Sequence, residues 1–218
     1  MPYKIFIGNN PLYLCTNGYV LPSLEALDLA TKNLRQEYYI DQKQLLKVIE
    51  RLENKNYEIA CVIYHHNEIE LCNAFTSLFR IVEAAGGLVE NNNGEVLMIY
   101  RKNKWDLPKG KIELHEEKIK AAEREVKEET GINNFAVETL INFYVWKQEF
   151  TTHAYWESQK RILKNTYWFK MKSADDAPFI PQLEEGITEV KWIKQNQVSE
   201  LLKNSFASVA DVMRYSKV

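Results

Sequence analysis

Apolar and polar positions in the first 80 residues follow the periods of short strands and amphipathic helices. Lys4–Ile7 and Leu12–Cys15 flank a turn that contains glycine and proline, which predicts a β-hairpin. Leucines at helical spacing predict a helix over 24–35, and Asp41 is a suitable N-cap for a second helix. The apolar, β-branched run Ile59–Tyr64 predicts a further strand. These elements together predict a small α+β domain.

The pattern changes near residue 80, where strands begin to alternate with few helices. Ile81–Glu90 and Glu95–Lys102 are predicted strands around a turn, and 116–130 is a predicted helix that ends at Gly131. Strands interleaved with few helices indicate an α/β layered fold with a mixed sheet. The other predicted elements are strands in Phe135–Phe150, Ile162–Lys172 and Thr188–Ile193, a polar tip at Thr151–Lys160, a loop at Ala174–Gly186 and short helices within 196–216.

Composition and charge limit the classes of function. The 218 residues have a formal net charge of -2, so no global basic field favours nucleic acid or an anionic membrane. Cys15, Cys61 and Cys72 form no CxxC pair, which argues against a disulfide framework and a zinc site. The sequence has no signal-peptide pattern at its start and no apolar run of about 18 residues. We therefore expect a cytoplasmic protein without a membrane span.

Three glutamates on the predicted helix give the strongest chemical signal. Glu125, Glu128 and Glu129 stand at positions i, i+3 and i+4, so their side chains share one helical face beside the apolar stripe. Clustered carboxylates at a partly buried surface are costly unless a cation neutralises them. Hard divalent cations prefer carboxylate and carbonyl oxygens as ligands. The spacing therefore predicts a Mg²⁺ site, which would also suit Mn²⁺.

The turn before this helix carries groups that suit a phosphate-bearing substrate. Gly110 has no side chain, so its backbone carbonyl can approach a metal ion or a phosphate closely. Arg101, Lys109 and Lys111 are candidate substrate-binding residues because their positive charges can neutralise phosphate oxygens. Lys164, at the edge of a predicted strand, is a fourth candidate.

The joint pattern of glycines, glutamates and arginine resembles the box of the Nudix hydrolase family. A solvated helix face with i,i+4 ion pairs would explain any one of these glutamates alone, but not the whole pattern. The resemblance covers roughly 81–218 and implies a Nudix α/β/α sandwich with a mixed sheet, preceded by the small α+β domain 1–80. The matching positions are Gly110, Glu116, Arg124, Glu125, Val126, Glu128, Glu129, Gly131 and Ile132.

The resemblance implies roles for the box residues. Glu125 and Glu129 look like the principal Mg²⁺ ligands, and Gly110 would supply a carbonyl ligand. Glu128 looks like a further ligand or the base that accepts a proton from the attacking water. Arg124 would orient a box carboxylate through a salt bridge.

Further residues are implied around the metal site. Glu116 would support the metal cluster through water or through the start of the helix. Some Nudix enzymes place the base on a later loop, where Glu184 and Glu185 are the candidates in this sequence. An ordinary polar loop is an equal alternative for these two glutamates.

The implied activity is cleavage of a phosphoanhydride bond in a nucleoside diphosphate linked to another moiety. The segment Trp105–Gly110 is similar to that of diadenosine polyphosphate and diphosphoinositol phosphate hydrolases, which favours a dinucleoside polyphosphate. The alternatives are a nucleotide-sugar or oxidised-nucleotide hydrolase and a non-catalytic Nudix-related sensor. Such sensors append a DNA-binding module, but 41–54 has mixed charge, so no nucleic-acid partner is expected.

Residues 1–80 carry no motif that assigns a function. A cap over the active site and a homodimer contact are both reasonable hypotheses for this region. His65 and His66 are adjacent in a predicted strand, where neighbouring side chains point to opposite faces. The sequence therefore argues against a metal site formed by these two histidines.

Overall fold

The computed structural model divides the chain into two compact units. The first consists of Met1–Val82 and Phe143–Lys164, and the second of Glu83–Asn142 and Asn165–Val218. The first unit thus takes in a segment from the middle of the predicted second domain, and the domain boundary near residue 80 stays a prediction. The structure describes residues 3–19, 33–54, 56, 58–143, 148–174 and 178–216.

The described residues form strands of both orientations and helices, which confirms the predicted α/β class. The strands are β1 (Tyr3–Ile7), β2 (Asn10–Thr16), β3 (Asn33–Tyr38), β4 (Ile59–His65), β5 (Arg80–Asn91), β6 (Val96–Arg101), β7 (Lys104–Asp106), β8 (Lys109–Lys111), β9 (Phe135–Leu140), β10 (Phe150–Glu157), β11 (Lys160–Ser173) and β12 (Ile187–Ile193). The α-helices are α1 (Gln42–Glu53), α2 (Glu68–Thr76), α3 (Lys118–Thr130), α4 (Gln195–Leu202) and α5 (Ala207–Tyr215), and Leu183–Glu185 is a short 3₁₀ turn. None of the helices in the described ranges is long and apolar enough to cross a membrane.

The first unit contains a mixed sheet in the order β10, β1, β2, β4, β3. β1 and β2 pair antiparallel, which confirms the predicted hairpin, whereas β4 runs parallel to both β2 and β3. A parallel pair needs a crossover connection, and α1 lies in the chain between β3 and β4. The core of this unit consists mainly of Ile5, Ile7, Leu12, Leu14, Leu45, Val48, Ile49, Leu52, Ile59, Cys61, Ile63, Leu71 and Phe75.

The helices of the first unit agree only in part with the sequence pattern. The Asp41 carboxylate accepts a hydrogen bond of 2.8 Å from the Gln44 backbone N–H, which confirms the predicted start of α1. The sequence pattern of Cys72–Phe79 suits helix and strand equally. In the structure this segment is helical up to Thr76, where α2 ends. The predicted helix over 24–35 is wrong at its end, because 33–35 belong to β3 and pair with β4. Its earlier part lies outside the described residues.

The second unit places four strands in the order β12, β6, β5, β11. β6 pairs antiparallel with both β5 and β12, and β9 pairs antiparallel with β11. α3 lies close to this sheet. A Cβ atom at Gly87 of β5 would be 2.7 Å from a Val126 methyl group and 2.9 Å from the Met171 sulfur. The absence of a side chain at Gly87 therefore allows the close approach of α3.

Two predicted irregular segments are more regular than the sequence pattern indicated. The turn before α3 contains the short strands β7 and β8, which pair with β6 and β5. Ser205 between α4 and α5 donates a hydrogen bond of 2.6 Å to the Trp105 carbonyl and fixes β7. The predicted polar tip Thr151–Lys160 is mostly strand. Only Ser158 and Gln159, with φ of 47° and 64°, form the turn between β10 and β11.

Candidate active site

The helix α3 holds the three glutamates of the box at different depths. Glu129 is 1% exposed and Glu125 is 9% exposed, whereas the Glu128 side chain is nearly half exposed. Gly131 adopts the left-handed conformation with φ of 82°, and its N–H bonds to the Lys127 carbonyl at 2.8 Å. The glycine therefore ends the helix directly after the glutamates, as the sequence predicts.

Glu129 is a buried carboxylate at the junction between α3 and the preceding turn. One of its oxygens accepts a hydrogen bond of 2.7 Å from the Lys109 backbone N–H, and the other lies 3.5 Å from Arg101 Nη1. Burial raises the pKa of Glu129 to about 7, although the positive charges of Lys109 and Arg101 oppose this effect. The structure thus keeps a carboxylate in an environment that would be costly without a nearby cation.

The Arg124 guanidinium joins the other acidic residues of the box. It forms a bidentate pair with Glu116, in which both N–H···O distances are 2.8 Å. Its Nη1 also donates to Glu125 at 2.7 Å and to Glu128 at 3.1 Å. The hydrogen bonds from Arg124 lower the pKa of Glu116 to about 2. Arg124 therefore holds Glu116 ionised and fixes the positions of three carboxylates.

Gly110 lies directly beneath the Glu125 carboxylate. A Cβ atom at this position would be 2.0 to 2.1 Å from the two carboxylate oxygens and the carboxyl carbon of Glu125. The backbone of Gly110 pairs with Ala85 of β5, so the strand cannot easily move away. The contact explains in steric terms why the box has glycine at this position.

Asp106 is a functional candidate that the sequence did not single out. Its side chain is fully buried, accepts a hydrogen bond from Arg101 Nε at 3.0 Å and forms an ion pair with Lys109 Nζ. Burial alone would raise the pKa of Asp106, but Lys109 and Arg101 outweigh it and hold the pKa below its ordinary value. The i,i+3 spacing of Asp106 and Lys109 is the sequence feature that could have indicated their ion pair. Their pairing with Arg101 depends on the β6–β7 hairpin.

The other predicted site residues occupy several places. Lys111 is exposed, and its backbone carbonyl accepts a hydrogen bond of 3.1 Å from Arg124. Lys164 lies in the part of β11 that belongs to the first unit. Glu184 and Glu185 are exposed on the 3₁₀ turn. Burial lowers the pKa of Arg101, but the negative charges of Asp106, Glu129 and Glu185 raise it above its ordinary value. The turn therefore belongs to the electrostatic surroundings of the box.

One network of ion pairs in the second unit joins five carboxylates to three cations. Since most of these groups are partly or fully buried, solvent screens the repulsion between the carboxylates poorly. A divalent cation would reduce this repulsion, and carboxylate oxygens are suitable ligands for it. The carboxylates are Asp106, Glu116, Glu125, Glu128 and Glu129, and the cations are Arg101, Lys109 and Arg124.

The family model of the NUDIX domain matches residues 80–214. Among solved structures, the chain is similar to a MutT protein from Methanosarcina mazei Go1, with 19% identity over 64% of this chain and 95% of that chain, at a TM-score of 0.46. It is also similar to an Ap4A hydrolase from C. elegans, with 18% identity over 62% of this chain and 95% of that chain, at a TM-score of 0.45.

The family match covers more than half of the chain and contains the whole glutamate helix and the preceding turn. The chain therefore belongs to the Nudix family and is a hydrolase. Its general reaction class is pyrophosphohydrolysis, the cleavage of a phosphoanhydride bond by water.

Proposed function

We propose that this enzyme is a Mg²⁺-dependent pyrophosphohydrolase that acts on a nucleoside diphosphate linked to another moiety. The observation that carries the proposal is the cluster of box carboxylates around Gly110. Two of these carboxylates are buried against backbone, which orders them before any ligand binds. Such preorganisation is what a catalytic cation site requires.

The donor set fits Mg²⁺ or Mn²⁺. Glu125, Glu128, Glu129 and the Gly110 carbonyl would hold the ion, and these are hard oxygen ligands without a competing imidazole or thiolate. When bound, the cation neutralises the diphosphate, polarises a phosphoryl oxygen and lowers the pKa of a coordinated water. Arg124 would keep the carboxylates in place through its ion pairs.

The side chains around the cluster would position the diphosphate and accept a proton. Arg101, Lys109 and Lys111 would bind phosphate oxygens. The water oxygen forms a bond to phosphorus while the bond from phosphorus to the bridging oxygen breaks, and the leaving phosphate takes the electron pair. The water proton passes to Glu128 or to a glutamate of the Leu183–Glu185 turn.

The role of Glu129 is tested by the substitution Glu129→Gln. It keeps the shape of the side chain but removes its charge, and we expect kcat to fall at least about 100-fold, the scale for one positioned electrostatic group. Glu123→Gln is the matched control on the same helix, because Glu123 pairs only with the exposed Lys120 in the ion pairs of the described residues. Near wild-type turnover of Glu129→Gln with Mg²⁺ would exclude Glu129 from catalysis.

The substrate is tested by a panel of diphosphates with Mg²⁺ and analysis of the released products. The resemblance of Trp105–Gly110 to dinucleoside polyphosphate hydrolases makes those compounds the first choice. Preference for a nucleotide sugar or an oxidised nucleotide would redirect the assignment within the same reaction class. Hydrolysis of no diphosphate, together with saturable ligand binding, would instead support a sensor. The same panel with Glu128→Gln, Glu184→Gln and Glu185→Gln distinguishes the three candidate bases.

A further inference from the structure

The connection between β4 and α2 in the first unit brings two imidazoles and a carboxylate together. His65 is the last residue of β4, His66 follows in a bend, and Glu70 lies in the first turn of α2. One potential ligand atom from each of these residues lies within 4.8 Å of the others. The centroids of the two imidazole rings are 4.1 Å apart. The prediction that the two histidines point to opposite faces is therefore wrong, because the strand ends between them.

His65 is held in place by its surroundings. Its backbone carbonyl accepts a hydrogen bond of 3.1 Å from the Asn17 N–H, and its ring makes an edge contact with Tyr39 at 5.2 Å between centroids. Nδ1 of His65 is 2.8 Å from the Asn67 carbonyl and 3.3 Å from the Asn67 N–H. The shorter contact favours a proton on Nδ1, which leaves the Nε2 lone pair for a ligand.

We propose that His65, His66 and Glu70 form a binding site for a divalent transition-metal ion of the Zn²⁺ type. Two imidazoles and one carboxylate are a donor set that suits Zn²⁺, with water in the fourth position. Bonds of about 2.0 to 2.1 Å in a tetrahedral site place ligand atoms roughly 3.3 Å apart. Because the His66 and Glu70 side chains are exposed, they can rotate over the remaining distance without disturbing the core.

The chemistry of this site differs from that of the glutamate cluster. Mg²⁺ prefers oxygen ligands and keeps its water, so it does not compete for a site that has two imidazoles. The positive end of the α2 dipole opposes a cation there, but Glu68 and Glu70 in the first turn offset this effect. A bound ion would connect the end of β4 to the start of α2 and stabilise the folded first unit by binding only the native state.

The test is calorimetric titration of Zn²⁺ into the full-length protein in excess Mg²⁺, which occupies the oxygen-ligand site. We expect one saturable site in the wild type and at least tenfold weaker binding in His66→Gln and Glu70→Gln, on the order of the known cost of disturbing a metal-ligand shell. His115→Asn is the matched control, because His115 is exposed and its φ of 66° suits asparagine.

A second measurement identifies the ligands directly. Ni²⁺ should broaden the imidazole proton resonances of His65 and His66 but not that of His153, which lies in β10. The exposed position of His66 means that the His66→Gln variant should fold normally, which circular dichroism checks. The proposal is overturned if the wild type has no saturable Zn²⁺ binding in excess Mg²⁺, or if His66→Gln binds Zn²⁺ as tightly as the wild type.

Discussion

The contact between Gly110 and Glu125 allows the metal site to be disturbed by one methyl group. In Gly110→Ala the new Cβ atom would lie 2.0 to 2.1 Å from the Glu125 carboxylate, far inside van der Waals contact. The backbone at Gly110 is paired with β5, whereas the carboxylate is the end of a flexible side chain. We therefore expect the carboxylate to move and the strand to stay.

The expected losses of stability and activity follow from this difference between a fixed backbone and a movable side chain. Overpacking relieved by a side-chain shift should lower the free energy of unfolding by about 1–2 kcal/mol. The displaced carboxylate loses its 2.7 Å contact with Arg124 and its place among the proposed metal ligands. Loss of one positioned charge should lower kcat about 100-fold or more. The variant is thus expected to fold with a moderate loss of stability and to be almost inactive.

Gly94→Ala provides the matched control. Gly94 has a φ of 72°, and a Cβ atom there would meet nothing within 4 Å. Alanine in the left-handed conformation costs about 1–2 kcal/mol, so its effect on stability should be similar, but its kcat should not change. Urea unfolding gives the stability of each variant, and kcat with Mg²⁺ and the affinity for Mn²⁺ give the state of the site.

Two results would refute this reasoning. Wild-type kcat and Mn²⁺ affinity in Gly110→Ala would show that the position of the Glu125 carboxylate does not matter for catalysis. Equal loss of activity in both alanine variants would show that activity follows stability and not the geometry of the box.

Two other predictions concern buried groups. Asp106→Asn removes the buried carboxylate that Arg101 and Lys109 share, so urea unfolding should show a loss of about 3–5 kcal/mol in the free energy of unfolding. A loss below about 1 kcal/mol would mean that the remaining partners of the two cations compensate for Asp106. Burial raises the pKa of the Cys15 and Cys61 thiols to about 12, so both stay neutral as the pH rises through the range where an exposed thiol ionises. Ellman's reagent between about pH 8 and 10 should label at most one thiol, that of Cys72, in the native protein, and labelling of two or more would contradict this prediction.

The sequence predicts those parts of the molecule whose structure is set by local periodicity. The start of α1 follows from Asp41 and its apolar stripe, and the end of α3 follows from Gly131. The shared face of the three glutamates also follows directly from helical spacing. Their different burial does not, since it depends on which side of α3 faces the β5–β11 part of the sheet.

Pairing between distant segments explains what the sequence did not predict. Leu34 of β3 stands at helical spacing from Leu27, but the hydrogen bonds of this segment to β4 decide its structure. The Asp106 network depends on the β6–β7 hairpin, which brings Arg101 back beside the acidic side chain. The approach of the His65 and His66 rings depends on the residue at which β4 ends. The alternation of side chains along a strand does not reveal that residue.

The last turn of α3 also limits how far Glu184 and Glu185 can travel. Ile180 N–H bonds to the Thr130 carbonyl at 3.0 Å, so the chain that follows starts from an anchored point beside Gly131. Five residue steps from Ile180 to Glu185 span at most about 18 Å even when fully extended. The two acids therefore lie within this distance of the end of α3, and residues inserted between Ile180 and Glu185 would change that limit without altering a single box residue.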